Sequence, residues 1–229
     1  MNINPVLKPA RFLRLAHLEF TNISRDPTLL VISVLAVLPT ILFVLYHSRA
    51  DLAAQKAFGL FAISRYAAPV FLILPAYLIG WVFGFLMLEE RDDGPLRALG
   101  VSPVGKTGIM LFRSILSFMF SAGIAAFSGP LILPNLSFAL WSGLAVLTGL
   151  QSASLTLALP AFAANKVQGL ALTKVMNLFA VLPLLAAIHS PFRFVFGFLP
   201  PFWIGEIAGL SDGAVLPTGV SLFLALACH

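Results

Sequence analysis

Long runs of apolar residues dominate the pattern of this chain. Crossing the roughly 30 Å hydrocarbon core of a bilayer takes about 20 mostly apolar residues. Five runs approach or exceed that length, at residues 29–46, 66–88, 108–127, 138–164 and 168–188, and a sixth at 214–228 is shorter. The pattern therefore predicts an all-α integral membrane protein with six transmembrane helices, of which the sixth is short or truncated.

The composition points the same way. The chain has 229 residues, of which 59% are hydrophobic and 10% charged, and its mean hydropathy is +0.98. A soluble domain usually carries about 25% charged residues, so a soluble enzyme or regulator is a poor fit. The net charge of +5 fits attraction to anionic lipid rather than nucleic acid, because basic and aromatic residues are not concentrated outside the apolar runs.

Neither cysteine nor histidine offers a cluster for metal chemistry. Cys228 is the single cysteine, so a disulfide within the chain and a cysteine metal site are excluded. His17, His47, His189 and His229 are scattered over different regions. We expect no metal, no cofactor and no catalytic residues.

The basic residues predict the orientation. Eight of them fall on the side of the N-terminus: Lys8, Arg11, Arg14, Arg25, Arg91, Arg97, Lys106 and Lys166. Four fall on the other side: Arg49, Lys56, Arg65 and Arg193. This excess favours a cytoplasmic N-terminus. Arg113 and Lys174 lie inside spans, within about two turns of the basic side, and we expect them to snorkel outward as anchors.

The segment before the first span has an amphipathic pattern. Leu13, Ala16, Phe20 and Ile23 share one helical face, which predicts a helix lying in the cytoplasmic interface. A disordered basic tail is the alternative. We expect one transmembrane domain over residues 1–229, with residues 1–28 as its interfacial part and residues 29–228 as the six-helix membrane region.

A phosphate-loop pattern occurs at residues 100–107, GVSPVGKT. A working phosphate loop needs a buried strand before it and a helix after it, so that backbone amides cradle the phosphates. Here charged residues precede the pattern and a membrane span follows. We therefore interpret it as a chance match in a turn.

A charged segment follows the second span. Six charged residues lie within positions 89–97, and Leu96, Leu99 and Val101 offer an apolar side. This composition suits a short cytoplasmic helix that docks on a partner. The alternative is a solvated loop whose charges simply end the span.

At this segment the chain resembles the permease subunits of type-2 ABC exporters. Those carry a pattern close to E-x-E/R-x-G-T-L-x-x-L-x-V-S-P after the second span, and residues 89–103 here read EERDDGPLRALGVSP. Pro95 stands where threonine or serine is usual. The chain is similar to small bacterial fluoroquinolone-export-type permeases over nearly its whole length.

Three other features agree with the resemblance. Residues 165–169, NKVQG, resemble the family's second cytoplasmic contact, residues 198–203, FLPPFW, resemble its outer hairpin, and the interfacial helix also has a counterpart. The resemblance implies that the following residues contact an ATPase: Glu89, Glu90, Arg91, Asp93, Gly94, Leu96, Arg97, Leu99, Val101, Ser102, Pro103, Asn165, Lys166 and Gly169. It implies an outer hairpin that contains Pro200, Pro201, Trp203 and Glu206.

The membrane spans themselves carry few polar residues. Span four carries Thr148, Gln151, Ser152, Ser154 and Thr156, and span five carries Asn177. Such side chains usually face protein or a cavity, so they could line a substrate pathway; hydrogen bonding between helices is the alternative. Gly80 and Gly84 form a G-x-x-x-G pattern, which indicates helix packing. Glu206 and Asp212 are expected in an interfacial hairpin held by Trp203.

The resemblance implies transport without catalysis. A pair of permease chains, identical or different, would work with separate ABC ATPase subunits in the bacterial cytoplasmic membrane and export an amphipathic or hydrophobic, drug-like or lipid-like compound. An ion-coupled secondary carrier is the alternative, disfavoured because no acidic residue lies well inside a span. A lipid-modifying membrane enzyme fits less well, because it needs convergent catalytic groups.

Overall fold

The chain folds as a bundle of helices. The computed structural model describes residues 9–25, 27–92, 105–188, 190–209 and 217–229, and every regular element among them is helical. The α-helices are α1 (Pro9–Arg25), α2 (Pro27–Phe58), α3 (Ile63–Asp92), α4 (Gly105–Ile132), α5 (Phe138–Phe162), α6 (Lys166–Met176), α7 (Pro200–Ile207) and α8 (Thr218–Cys228). Two 3-10 segments, Asn177–Ala187 and Pro191–Phe198, lie between α6 and α7.

Five stretches of the described chain are long and apolar enough to cross a membrane. They are Ser33–Phe58, Ile63–Asp92, Lys106–Ile132, Phe138–Phe162 and Lys166–Ala187. They overlap the first five predicted spans, although the first helix continues to Phe58, beyond the predicted end at residue 46. Helix α8 corresponds to the predicted sixth span, but its 11 residues rise only about 16 Å. The all-α membrane architecture is confirmed, whereas a sixth complete span is not.

Helices α3, α4 and α5 form the packed centre of the bundle. Helix α3 is the most enclosed of these, and its buried side chains include Leu72, Tyr77, Trp81 and Leu88. Helix α2 covers α3 from one side and keeps large apolar side chains such as Leu35 and Leu45 on its outer surface. A lipid-facing helix carries this pattern, because hydrocarbon tails are as apolar as leucine.

Two glycines let α3 approach α5 closely. A Cβ atom at Gly80 would lie 2.8 Å from the Leu155 Cβ and 2.9 Å from the Ser152 carbonyl oxygen, and one at Gly84 would lie 2.9 Å from the Leu159 Cβ. A larger residue at either position would have to push the helices apart. The packing predicted from the G-x-x-x-G pattern is confirmed.

The fifth span changes its helical type halfway. Helix α6 ends at Met176, and a 3-10 helix continues from Asn177 to Ala187. Pro183 lies inside this second half, where its missing N–H removes a hydrogen bond of a regular α-helix. The Trp81 indole Nε1 donates to the Asn177 side-chain oxygen at 2.9 Å, so α3 holds the chain where the helical type changes.

Helix α7 lies inside the protein at the end of the bundle away from Asp92. All its residues from Pro201 to Ile207 are buried. Gly205 makes this possible, because a Cβ atom there would lie only 2.1 Å from the Pro183 carbonyl oxygen. The contact packs α7 directly against the 3-10 half of the fifth span.

Candidate functional site

The last turn of α3 carries four charged residues immediately after the fully buried Leu88. They are Glu89, Glu90, Arg91 and Asp92. Helices α1 and α4 and the α5–α6 connection all reach this turn. We call the resulting group of residues the charged cluster, and its members are Glu19, Glu89, Glu90, Arg91, Asp92, Arg113 and Lys166.

The buried half of the charged cluster is an ion triad centred on Arg113 of α4. Its Nη1 donates to Glu90 Oε2 at 2.8 Å, and its Nη2 donates to Glu90 Oε1 at 2.5 Å. Its Nε donates to Glu19 Oε1 at 2.8 Å. Arg113 is only 2% exposed. Because a guanidinium left unpaired at such a depth would be costly, this triad ties α1, α3 and α4 together.

The prediction that Arg113 snorkels outward is wrong. Its side chain stays inside because two carboxylates meet it there, so it need not reach water. The sequence does contain a signal of a buried ion pair, because an arginine within an apolar helix usually pairs with a group inside the protein. Its partners could not be read from spacing, since they lie 23 and 94 positions away in the chain.

The more exposed half of the charged cluster joins α3 to the α5–α6 connection. Lys166 Nζ lies 2.6 Å from Glu89 Oε1, and the Lys166 backbone N–H donates to Asp92 Oδ2 at 3.0 Å. Arg91 donates to the carbonyl oxygens of Pro160, at 2.9 Å, and Ala163. These carbonyls lie at the end of α5, where a helix lacks its own donors, so Arg91 completes the end of that helix.

An N-cap marks the start of α6, next to the contacts of Lys166 with α3. The Asn165 side chain accepts from the Gln168 backbone N–H at 2.9 Å, which is an N-cap bond, and the Gln168 side chain accepts from the Ala164 N–H at 2.8 Å. One turn later a Cβ atom at Gly169 would lie 2.7 Å from Leu88 Cδ1. Asn165, Lys166 and Gly169 therefore lie next to the end of α3.

The remaining residues predicted to contact an ATPase lie outside the described part of the chain. They are Asp93, Gly94, Leu96, Arg97, Leu99, Val101, Ser102 and Pro103, and residues 100–104 of the phosphate-loop pattern lie there too. Among the residues described, no group of three or more His, Cys, Asp and Glu side chains could hold a metal ion.

Two polar side chains of span four, Ser152 and Thr156, bond to a neighbouring helix. Ser117 of α4 lies 2.5 Å from the Ser152 hydroxyl and accepts from the Thr156 hydroxyl at 2.8 Å. Thr148 donates within its own helix to the Ala145 carbonyl at 2.9 Å. The contacts of Ser152 and Thr156 with Ser117 are those expected from the helix-packing alternative. Their role in a substrate pathway, together with Gln151 and Asn177, stays a prediction.

The outer-hairpin residues Pro200, Pro201, Trp203 and Glu206 all belong to α7. Trp203 is 4% exposed, and its indole donates to the Gly197 carbonyl at 2.7 Å. The ring packs inside the protein and joins α7 to the segment around Gly197, and the interfacial position of the hairpin stays a prediction. Asp212 lies outside the described residues.

Glu206 forms a second buried ion pair, with Arg193. Arg193 Nε lies 2.7 Å from Glu206 Oε1, although this N–H does not point at the oxygen, and Nη2 donates to Oε2 at 3.3 Å. Arg193 also donates to the Ile188 carbonyl at 2.9 Å. The pair links the second 3-10 segment to α7.

Burial shifts the pKa of Glu19. Loss of solvent around its carboxyl raises the pKa above the usual value, and the nearby charge of Arg113 opposes that rise without cancelling it. Both close contacts from Arg113 fall on Oε1, and the buried Oε2 has no hydrogen-bond partner.

Comparison with known proteins assigns the chain to a family. The family model described as "Fluoroquinolones export permease protein Rv2686c-like" matches residues 19–228. The chain belongs to this family. Two curated relatives, the fluoroquinolones export permease proteins Rv2686c and MT2760 from two strains of Mycobacterium tuberculosis, are each 30% identical over 193 residues, which cover 80% of this chain and 75% of the relative. No solved structure matches the chain.

Membership of the Rv2686c-like family fits the helical bundle. The match begins at Glu19 and so includes the whole charged cluster and all five candidate spans. The chain is a multi-pass membrane permease, and the resemblance noted at residues 89–103 is confirmed at the level of the family.

Proposed function

We propose that this chain is the transmembrane subunit of an ABC exporter. Its partners in this proposal are a second permease chain and a separate ATPase, and its cargo is an amphipathic or hydrophobic compound. The proposal is supported by the Rv2686c-like family match and by relatives whose names state fluoroquinolone export. The chain itself is not the ATPase, and ATP is hydrolysed in the partner.

The observation that carries the proposal is the position of the charged cluster. The segment proposed to dock on the ATPase, residues 93–103, continues directly from Asp92 of α3. The residues just before it are bonded to α4 and to the α5–α6 connection, and Arg113 of α4 is bonded in turn to Glu19 of α1. A displacement of the docked segment would therefore be transmitted through α3 to α4, to α1 and to the α5–α6 connection.

The two halves of the charged cluster differ in how easily their ion pairs would separate during such a movement. The buried triad of Glu19, Glu90 and Arg113 is costly to break, because separation would leave charges without partners in a poorly solvated site. The exposed Lys166–Glu89 pair is weak and can reform elsewhere. We propose that α1, α3 and α4 move as one body and that the α5–α6 connection follows it through the looser contacts of Lys166 and Arg91.

ATP can drive the movement only by binding one state better than the other. In the proposed cycle, two ATPase subunits close on ATP and carry residues 93–103 with them, which favours one orientation of the bundle. We propose that the N-terminus and the charged cluster lie on the cytoplasmic side of the bacterial inner membrane, as the distribution of basic residues favours, with α1 in the interface.

Affinity purification from the native membrane in mild detergent tests the proposal. We expect a stoichiometric ATPase subunit and ATP hydrolysis in the purified complex. The substitution Arg97→Glu should release the ATPase, and Lys56→Glu, an equal charge change on the opposite side of the predicted membrane, should retain it. A stable permease that brings no ATPase and shows no ATP turnover would overturn the proposal.

A further inference from the structure

A cavity lies beneath α1, between α2, α3 and α4. Its volume is about 180 Å³. Its lining is apolar except for Ser33 and Glu19, and includes Val37, Phe120 and Ile124. The last three residues also line a groove of about 610 Å³ between α2 and α4. The cavity and the groove adjoin, and together they are large enough for a drug-sized ligand.

Among the described residues that line this cavity, Glu19 is the one ionisable group. The residue is buried, with 8% of its surface and 11% of its side-chain surface exposed. Arg113 uses only its Oε1, and Oε2 is left without a hydrogen-bond partner. A buried acceptor usually finds a donor, because its desolvation is otherwise uncompensated. Glu19 therefore offers one unused acceptor at an apolar cavity.

The charges around the triad are also unbalanced. Among the described residues, two carboxylates, Glu19 and Glu90, share the single guanidinium of Arg113, so the group has an excess negative charge when both acids are ionised. One further positive charge would neutralise the group. A neutral ligand would leave the excess negative charge in place, and an anionic ligand would increase it.

We propose that this cavity binds an amphipathic organic amine, with its protonated nitrogen on Glu19 Oε2 and its apolar or aromatic body against Val37, Phe120 and Ile124. An ammonium supplies both the missing donor and the missing charge. The site names a substrate class for the proposed export. Only the ligand's role as cargo rests on the proposed function. Binding to the permease alone is independent of any ATPase.

The test measures binding of 2-(1-naphthyl)ethylamine and its neutral N-acetyl analogue, by naphthalene fluorescence, to the purified chain in phosphatidylcholine nanodiscs. We expect the amine to bind about tenfold or more tightly than the analogue, as a charge-assisted hydrogen bond would give. Glu19→Gln keeps an acceptor for Arg113 and should abolish the difference. Ala16→Leu, which fills the cavity, should weaken both ligands.

Asp51→Asn is the matched control, because Asp51 accepts from the Ser64 hydroxyl and N–H far from the cavity. This variant should keep the preference for the amine. Equal binding of both ligands to the unmodified chain, or a preference that survives Glu19→Gln, overturns the proposal. Loss of amine binding when phosphatidylethanolamine is added would show that a lipid headgroup supplies the ammonium, and would overturn the assignment of the site to a cargo amine.

Discussion

Arg113 and Glu90 face each other through two parallel hydrogen bonds, with Nη1 2.8 Å from Oε2 and Nη2 2.5 Å from Oε1. This two-point contact fixes the relative position of α3 and α4 more tightly than a single point charge could. It lies two residues before the end of α3, directly before the segment proposed to receive movement from an ATPase. The pair thus links the helix that would carry the movement to its neighbour in the centre of the bundle.

Removing Arg113 should destabilise the protein strongly. Arg113→Ala leaves Glu19 and Glu90 buried with no positive partner, and we expect a loss of about 3–5 kcal/mol in the free energy of unfolding. Arg113→Lys retains the charge but not the planar fork, so its loss should be smaller. Thermal unfolding followed by the fluorescence of Trp81, Trp141 and Trp203 measures both effects.

A triple variant separates the ion triad from general packing. Glu19→Gln, Glu90→Gln and Arg113→Met together remove every charge while keeping similar volumes. Replacing a complete buried ion group by neutral residues is often nearly neutral, so the triple variant should be far more stable than Arg113→Ala alone. An equally large loss in both variants would mean that packing, rather than charge pairing, makes Arg113 necessary.

The spans could be predicted from sequence because one local quantity, the length of an apolar run, determines them. The partners of Arg113 could not, because they are brought together by the packing of α1, α3 and α4. The burial of Trp203 could not be predicted from the sequence either. A Trp beside prolines is typical of a membrane interface, but Trp203 is buried. Its helix lies inside the protein because Gly205 packs against the Pro183 carbonyl, and no local sequence pattern contains that contact.

Glu19 should make stability depend on pH. Burial raises the pKa of its carboxyl above the usual 4.5, so the folded state holds the proton more tightly than the unfolded state. The resulting stabilisation is complete below pH 4.5 and is lost as the pH rises through the folded-state pKa. Glu19→Gln does not titrate, so its stability relative to the unmodified chain should increase as the pH rises above about 4.5 and through the folded-state pKa.

Unfolding of both proteins across this pH range, in the same detergent, measures that difference. A constant difference would mean that Glu19 titrates alike in both states. A difference that falls with rising pH would mean that pairing with Arg113 outweighs burial and lowers the pKa.

Two glycine-to-alanine variants test the packing of α3 against α5. A Cβ atom at Gly80 would lie 2.8 Å from the Leu155 Cβ, whereas one at Gly123 of α4 would meet nothing within 4 Å. Gly80→Ala should therefore cost about 1–3 kcal/mol of stability. Gly123→Ala should be neutral or stabilise by about 0.5–1 kcal/mol, because alanine restricts the unfolded chain more than glycine does. Equal unfolding temperatures for the two variants would contradict this close approach.

The Lys166–Glu89 pair offers a test of coupling that leaves the fold intact. Both side chains are partly exposed, at 43% and 33%, so the pair should contribute less than about 1 kcal/mol to stability. If the α5–α6 connection follows α3 through this contact, Lys166→Glu should reduce cargo transport several-fold while the unfolding temperature stays near that of the unmodified chain. Reversing both charges, with Glu89→Lys added, should restore much of the transport because opposite charges face each other again. Transport into inverted vesicles that contain the complete exporter measures this, with Lys56→Glu as the matched charge change at a distant position. Full transport by Lys166→Glu would mean that movement passes from α3 to α5 by another route, and the Arg91 contacts with Pro160 and Ala163 would be the next to remove.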